Sequence, residues 1–315
     1  MTQRATGLPA PDRIQAIERP PTGDLLILAV ALTAVSASGP LMAAITAPAL
    51  AIAFWRNVLG AAALTPFALW RHRTEFGRLG RAEWLAALAA GVALGGHFAT
   101  WCTSLTMTSV ASAVAFVSGQ PIFAAFIARA RGELVSRRAW LGILIAAAGV
   151  VALSSSDLQV SGRAFAGDMI ALVGGALAAV YMSFGAKVRQ TVSLTPYAVI
   201  CYTTAAVVLG IGALASGQRL SGMSADSWIK ILALTATAQL LGHTLFNRVL
   251  KTTSATVVST LLLVEVPIAA LIAAIWLGQV PSWTAIPGAI LILAGLAVVT
   301  TTAGPSSVPP EDPLL

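Results

Sequence analysis

The chain has 315 residues, of which 57% are hydrophobic and only 10% are charged. A soluble protein of this length needs far more charge to cover its surface, so the composition excludes an ordinary soluble domain and predicts a membrane protein with several spans. The formal net charge is +7, but the basic residues are scattered in short loops rather than gathered on one face, so we expect no nucleic-acid partner.

Ten segments are apolar and long enough to cross a bilayer, which takes roughly 20 helical residues. In chain order they cover residues 24–46, 48–70, 83–104, 108–129, 138–154, 167–187, 194–215, 227–249, 253–277 and 282–301. The sequence therefore predicts an all-α membrane protein with ten transmembrane helices. The polar, proline-containing ends at 1–22 and 303–315 are predicted to be tails, the first of them disordered, and we expect no cleaved signal peptide.

The basic residues predict the orientation of these spans, because cytoplasmic loops carry an excess of Lys and Arg. With both termini in the cytoplasm, fifteen of the 19 basic residues fall on the cytoplasmic side. Only Arg163, Arg219 and Lys230 fall on the opposite side, and Arg56 lies inside the second span. We therefore predict that both termini, and hence both tails, are cytoplasmic.

Several short motifs occur twice at a separation of 146 positions, which indicates an internal duplication. The matching pairs are Gly96-His97 with Gly242-His243, Pro121 with Pro267, Gly132 with Gly278, Gly142 with Gly288, and Gly149 with Gly295. The two repeats are predicted at residues 23–155 and 166–302, with five spans each. Because five is an odd number, the second repeat begins on the other side of the membrane, and we expect two inverted repeats around a central cavity.

Polar side chains inside the spans are the candidates for a binding site, because a charged group there costs about 2.5–3.5 kcal/mol on insertion scales. The predicted substrate-binding residues are His97, Trp101, Gln120, His243, Glu265, Arg56 and Tyr202. Trp101 follows His97 by one helical turn and should share its face. Gln120 and Glu265 each lie close to a proline, whose ring removes a backbone hydrogen bond.

Each candidate also has a structural interpretation. The two histidines and Glu265 could form hydrogen bonds between helices, and Arg56 could extend to the outer membrane interface. Arg56 could instead form an ion pair with Glu265. Tyr181, Phe184 and Phe116 are further aromatic candidates, of a residue type that more often serves packing.

Enzyme motifs are absent from the sequence, which contains no HExxH, no phosphate-binding glycine loop and no CxxC. Ser118-Gly119 together with two histidines suggests an intramembrane serine protease as an alternative. However, that class has glycine where this chain has Phe116, and it lacks the ten-helix inverted repeat. Cys102 and Cys201 lie in apolar runs and are expected to be buried thiols. We expect no catalytic residues, no metal and no cofactor.

The chain resembles the drug/metabolite transporter superfamily, specifically its ten-helix EamA type, over about residues 24–301. The resemblance rests on four features. The first two are Arg56 after the first loop, and Ser118-Gly119-Gln120-Pro121 followed by Gly132-Glu133. The others are the span from Trp140 through Gly142 to Gly149 with its copy at Gly288 and Gly295, and Gly167-Asp168 at the opening of the second half. Gln279 departs from the pattern, since the second copy in the family often has glutamate there.

The resemblance implies a carrier of the bacterial inner membrane that works by alternating access. The aromatic-flanked Gly-His segments look most like those of the YddG-type exporters of aromatic amino acids and paraquat. We therefore expect an exporter of amino acids and related small metabolites that functions as a monomer in the lipid bilayer. A carrier of a cationic drug, an amine or a nucleotide sugar is one alternative, and a passive facilitator or channel is another. Coupling to protons through His97, His243 or Glu265 stays open.

Overall fold

The computed structural model describes residues 18–19, 21–133, 135–154, 161–280, 283, 285–302 and 304–305. These residues contain ten helical segments, α1 to α10. They are α1 (Thr22–Ala43), α2 (Ala49–Phe76), α3 (Arg81–Ser104), α4 (Val110–Ala130), α5 (Arg137–Ser154), α6 (Gly162–Val188), α7 (Leu194–Ala215), α8 (Ala225–Val249), α9 (Ala255–Leu277) and α10 (Ala285–Thr302).

The predicted all-α architecture of a membrane protein is confirmed. Eight of the described helices are long and apolar enough to cross a membrane, and α5 and α10 pack against each other as two further helices. The largest boundary difference is at α2, which continues beyond residue 70 to Phe76 through a polar turn that hydropathy does not count. Most of the two predicted tails lies outside the described residues. Of the tail residues that are described, Glu18–Arg19 pairs in parallel with Gly304–Pro305.

Helices that correspond by the duplication run antiparallel to each other. In α5 and α10, a Cβ atom on Gly142 would lie 2.7 Å from the carbonyl oxygen of Gly295, and one on Gly149 would lie 2.7 Å from that of Gly288. The early glycine of each helix therefore faces the late glycine of the other. This crossing is what two inverted repeats require, and the absence of side chains lets the two backbones touch.

The second helices of the two repeats, α2 and α7, show the same antiparallel relation. At one end, the Leu50 amide donates a 3.1 Å hydrogen bond to the Gln218 side-chain oxygen. At the other end, the Ser193 amide donates a 2.6 Å hydrogen bond to the Glu75 carboxylate. The start of each helix thus lies beside the end of the other.

Four of the ten helices are interrupted near the centre of the bundle. α1 breaks at Ala37, and α4 breaks at Ser118 and Gly119, just before Pro121. α8 contains a π-helix over Thr235–His243, and α9 contains a 3-10 turn over Leu262–Val264. Proline explains the breaks in α4 and α9, because it has no N–H to continue the helix. The breaks place irregular backbone beside the cavity described next.

Candidate functional site

A cavity of about 40 Å³ lies between the two repeats. Its wall is formed by α1, α3 and α4 of the first repeat and by α6, α8 and α9 of the second: Val35, His97, Trp101, Val117, Ser118, Gln120, Ala178, Tyr181, Met182, His243, Phe246, Leu262 and Glu265. Five of the seven predicted site residues are in this wall. A cavity of this size holds about three or four water molecules, at roughly 10–15 Å³ each. A larger ligand therefore requires the helices to separate.

His97 and His243 face each other across the boundary between the repeats, with ring centroids 6.3 Å apart. The Nδ1 atom of His97 lies 3.0 Å from the Gly174 carbonyl oxygen. A carbonyl only accepts hydrogen bonds, so this contact assigns the proton to Nδ1 and leaves Nε2 of the neutral ring as an acceptor. The Nδ1 atom of His243 has no hydrogen-bond partner among the described residues. One imidazole is thus fixed by the protein, and the other keeps a free nitrogen.

Aromatic rings continue from this histidine pair along the cavity. Trp101 stacks on His97, with centroids 6.0 Å apart and planes only 11° from parallel, as expected for residues one turn apart. Phe98 meets His243 edge-on at 5.1 Å, and Tyr181 lies 6.3 Å from the same imidazole. The indole Nε1–H of Trp101 has no acceptor within the described part of the chain. The wall thus combines flat apolar surfaces with an unused hydrogen-bond donor.

Gln120 and Glu265, the polar residues near the two prolines, have different surroundings. The Gln120 amide donates a 2.7 Å hydrogen bond to the Ser259 hydroxyl and lies 3.0 Å from the Met182 sulfur. The Glu265 side chain is 7% exposed and forms no hydrogen bond with any described residue. The hydrogen bond between helices that the sequence offered as one interpretation of Glu265 is therefore not present. Gln120 is held by the protein, whereas Glu265 is not.

Arg56 does not line the cavity. Its side chain is 0% exposed, so the interpretation that it extends to the membrane interface is wrong. Its Nε donates a 2.9 Å hydrogen bond to the Gln239 side-chain oxygen, and the guanidinium lies 4.2 Å from the centroid of Phe98. No described carboxylate, Glu265 included, lies within ion-pair distance of Arg56, and its Nη2 has no partner. Phe98 separates this buried charge from the histidine pair.

Tyr202 is also placed behind the cavity wall. It is fully buried, and its hydroxyl donates a 3.2 Å hydrogen bond to the Gln239 backbone oxygen and lies 2.9 Å from the Thr244 hydroxyl. Arg56 and Tyr202 therefore meet at Gln239, in the π-helical part of α8. Arg56 and Tyr202, two of the predicted site residues, therefore pack against the outside of the cavity wall.

Some functional features could not be found in the sequence. Met182 and Ser259, which hold the Gln120 amide, carry no sequence signal because their importance comes only from contact between α4, α6 and α9. Gln279 accepts a 3.3 Å hydrogen bond from the Val110 amide at the start of α4, so an amide suffices at this position. Cys102 and Cys201 are free and buried, as predicted. Among the described residues, no three His, Cys, Asp or Glu side chains are grouped to hold a metal ion.

Comparisons with known proteins agree with this architecture. The chain matches the EamA-like transporter family twice, at residues 21–155 and 165–301. No curated protein matches the chain. One solved structure, titled only as the crystal structure of a protein, superposes with a TM-score of 0.71 at 19% identity, covering 90% of this chain and 98% of that chain. That likeness shows a shared fold over nearly the whole length.

Proposed function

Because the chain belongs to the EamA-like transporter family, we propose that it exports amino acids and related small metabolites across the bacterial inner membrane by alternating access. The proposal is supported above all by one observation: three polar groups in the cavity between the repeats have no hydrogen-bond partner among the described residues. These groups are the Trp101 indole N–H, the His243 Nδ1 and the Glu265 carboxylate. Buried polar groups are normally paired, so their absence of partners favours a ligand.

The chemistry of the wall suits an amino acid. Ligand sites are mostly apolar and have a few polar groups that orient the ligand. Here aromatic rings can contact the side chain of the substrate, Glu265 can accept from its ammonium group, and Trp101 can donate to its carboxylate. His97, Gln120 and His243 complete the proposed site, and Arg56 and Tyr202 position it through Gln239.

Alternating access is supported by the small volume of the cavity and by its position between inverted repeats. A cavity of about 40 Å³ must widen before an amino acid can enter. Each repeat can adopt the conformation of the other, which opens the cavity to one side and then to the other. The helix breaks beside the cavity, at Ala37, Gly119, the π-helix of α8 and the 3-10 turn of α9, supply bending points.

A carrier for amines or cationic drugs is the second candidate, and the unpaired carboxylate of Glu265 favours it. A nucleotide-sugar carrier is disfavoured, because its phosphates need cationic partners. None of the described residues that line the cavity is Lys or Arg.

Counterflow into proteoliposomes tests the proposal. Vesicles preloaded with unlabelled amino acids should take up labelled threonine, methionine or an aromatic amino acid with saturation kinetics. The double variant His97→Ala/Trp101→Ala should change both the rate and the substrate preference, because it removes a stacked pair from the wall. Uptake that rises linearly with concentration would indicate a channel, and no uptake of any amino acid would contradict the proposal.

The proposed orientation can be tested with single cysteines. Cys102 and Cys201 are buried and are replaced by alanine, and the exposed Arg78 or Arg219 is then replaced by cysteine. In intact cells, a membrane-impermeant maleimide should label Arg219→Cys and should label Arg78→Cys only after the cells are broken. The reverse pattern would place the termini outside.

A further inference from the structure

The Glu265 carboxylate is an unpaired acid at the centre of a membrane protein. It lines the cavity, is 7% exposed, and forms no hydrogen bond or ion pair with any described residue. A charged group inside a bilayer is costly and is normally paired with another group. The position is therefore unfavourable without a partner, and none of the described residues supplies one.

The corresponding region of the first repeat shows that this arrangement is specific to Glu265. Gln120 directly precedes Pro121 in α4, Glu265 lies two residues before Pro267 in α9, and both side chains line the same cavity. The Gln120 amide is tied to Ser259 at 2.7 Å. One of the two polar residues is thus used in packing, and the other is kept free.

The groups that surround Glu265 favour a cationic partner. Aromatic rings of Trp101, Tyr181 and Phe246 line the same cavity, and such faces attract cations. The titratable neighbours are His97 on α3, His243 on α8 and Tyr181 on α6. The buried Arg56 on α2 does not line this cavity, and it forms no ion pair with Glu265. None of the described Lys or Arg side chains lines the cavity, so the space beside Glu265 is open to a cationic ligand.

We infer that Glu265 binds the positively charged nitrogen of the cargo, so that an ammonium group is required for recognition and a carboxylate is not. This inference rests on the proposed function and narrows the substrate class of the same cavity. Amino acids and simple aromatic amines then share one site. When the cargo has a carboxylate, the free Trp101 N–H donates to it.

Three ligands with the same phenyl ring separate the two charges of the substrate. L-phenylalanine has both charged groups, phenethylamine has only the ammonium, and 3-phenylpropionate has only the carboxylate. Binding is measured as a ligand-induced shift in thermal unfolding of the full chain in detergent. We expect L-phenylalanine and phenethylamine to stabilise the protein and 3-phenylpropionate to have no effect. Equal stabilisation by 3-phenylpropionate and phenethylamine would overturn the inference.

The isosteric variant Glu265→Gln tests the residue itself. It should weaken phenethylamine binding by at least about tenfold, as expected for the loss of a hydrogen bond between charged groups. Glu265→Asp should keep the preference for ammonium ligands with lower affinity. The control Asp226→Asn also removes one carboxylate, but from an exposed pair with Lys230 outside the cavity, and should bind like the wild type. Unchanged phenethylamine binding in a folded Glu265→Gln protein would overturn the inference.

The same ligands distinguish this inference from the proposed export of amino acids. If phenethylamine binds through Glu265 but no amino acid shows counterflow, the inference holds and amino-acid export is wrong. If amino acids show saturable counterflow that Glu265→Gln leaves unchanged, amino-acid export holds and the inference is wrong.

Discussion

His97 and His243 occupy corresponding positions in the two repeats, 146 residues apart, and their ring centroids lie 6.3 Å from each other. Two corresponding residues can meet only beside the axis that relates the repeats. The histidine pair therefore marks this axis at the cavity. The pair is not symmetric in its contacts, because only His97 is bound to a backbone carbonyl, that of Gly174. The duplication thus supplied one motif twice, and the two copies have acquired different surroundings.

The first prediction concerns this asymmetry. His97→Ala and His243→Ala remove the same ring volume, but only the first loses a hydrogen bond to the protein. We expect His97→Ala to be less stable than His243→Ala by about 1 kcal/mol. Unfolding can be followed with a thiol-reactive dye, because Cys102 and Cys201 are buried in the folded protein. Equal unfolding temperatures would show that the contact with Gly174 contributes nothing.

The second prediction separates a packing residue from a ligand-binding residue by stability alone. Gln120→Leu removes the amide that donates to the Ser259 hydroxyl, which keeps only its 3.7 Å contact with the Met182 sulfur, and should cost about 1 kcal/mol. Glu265→Gln breaks no contact with a described residue and replaces a carboxyl group that is costly to ionise at a buried position. It should therefore be at least as stable as the wild type, as is common when a functional group is removed. A large loss of stability in Glu265→Gln would mean that the protein does use this carboxylate in packing.

The third prediction concerns the buried Arg56. Gln239→Leu removes the acceptor of the Arg56 Nε–H and the donor to the Asn57 side-chain oxygen, and should cost about 1.5–3 kcal/mol because the buried guanidinium loses a hydrogen bond. Arg56→Met removes the charge itself. Adding Arg56→Met to Gln239→Leu should therefore restore part of the lost stability, since buried polar pairs are often replaced by apolar residues without loss. Strictly additive losses in the double variant would contradict this account.

The fourth prediction concerns the contact between α5 and α10. An alanine at Gly142 or Gly149 would place its Cβ 2.7 Å from backbone oxygen of the facing helix, and a backbone cannot move aside as a side chain can. Each substitution should cost about 1–3 kcal/mol by overpacking. Gly23→Ala in α1 is the control, because nothing lies within 4 Å of a Cβ there. Unfolding temperatures near that of the control would show that these two helices are not in close contact.

The sequence by itself determined the ten helices, the duplication and the inversion. Hydropathy is a local property of about 20 residues, so it indicates each span directly. The motifs repeated at 146 positions and the odd number of spans per repeat then require inversion. The same local reasoning placed His97, Trp101, Gln120, His243 and Glu265 near the centre, because polar residues inside apolar spans are unusual. Their common position in one cavity follows from the fold.

Only the tertiary structure decided which polar groups are paired. The bond between Gln120 and Ser259 joins residues 139 positions apart, and the bond between Arg56 and Gln239 joins residues 183 positions apart. No local pattern records such contacts, since they depend on how helices of different repeats pack. The π-helix in α8 gives no hydropathy signal either, although it contains the Gln239 that connects Arg56 with Tyr202. The packing of α4, α6 and α9 brings Ser259 and Met182 to the Gln120 amide, which is therefore held in place. The same packing brings no hydrogen-bond partner among the described residues to Glu265.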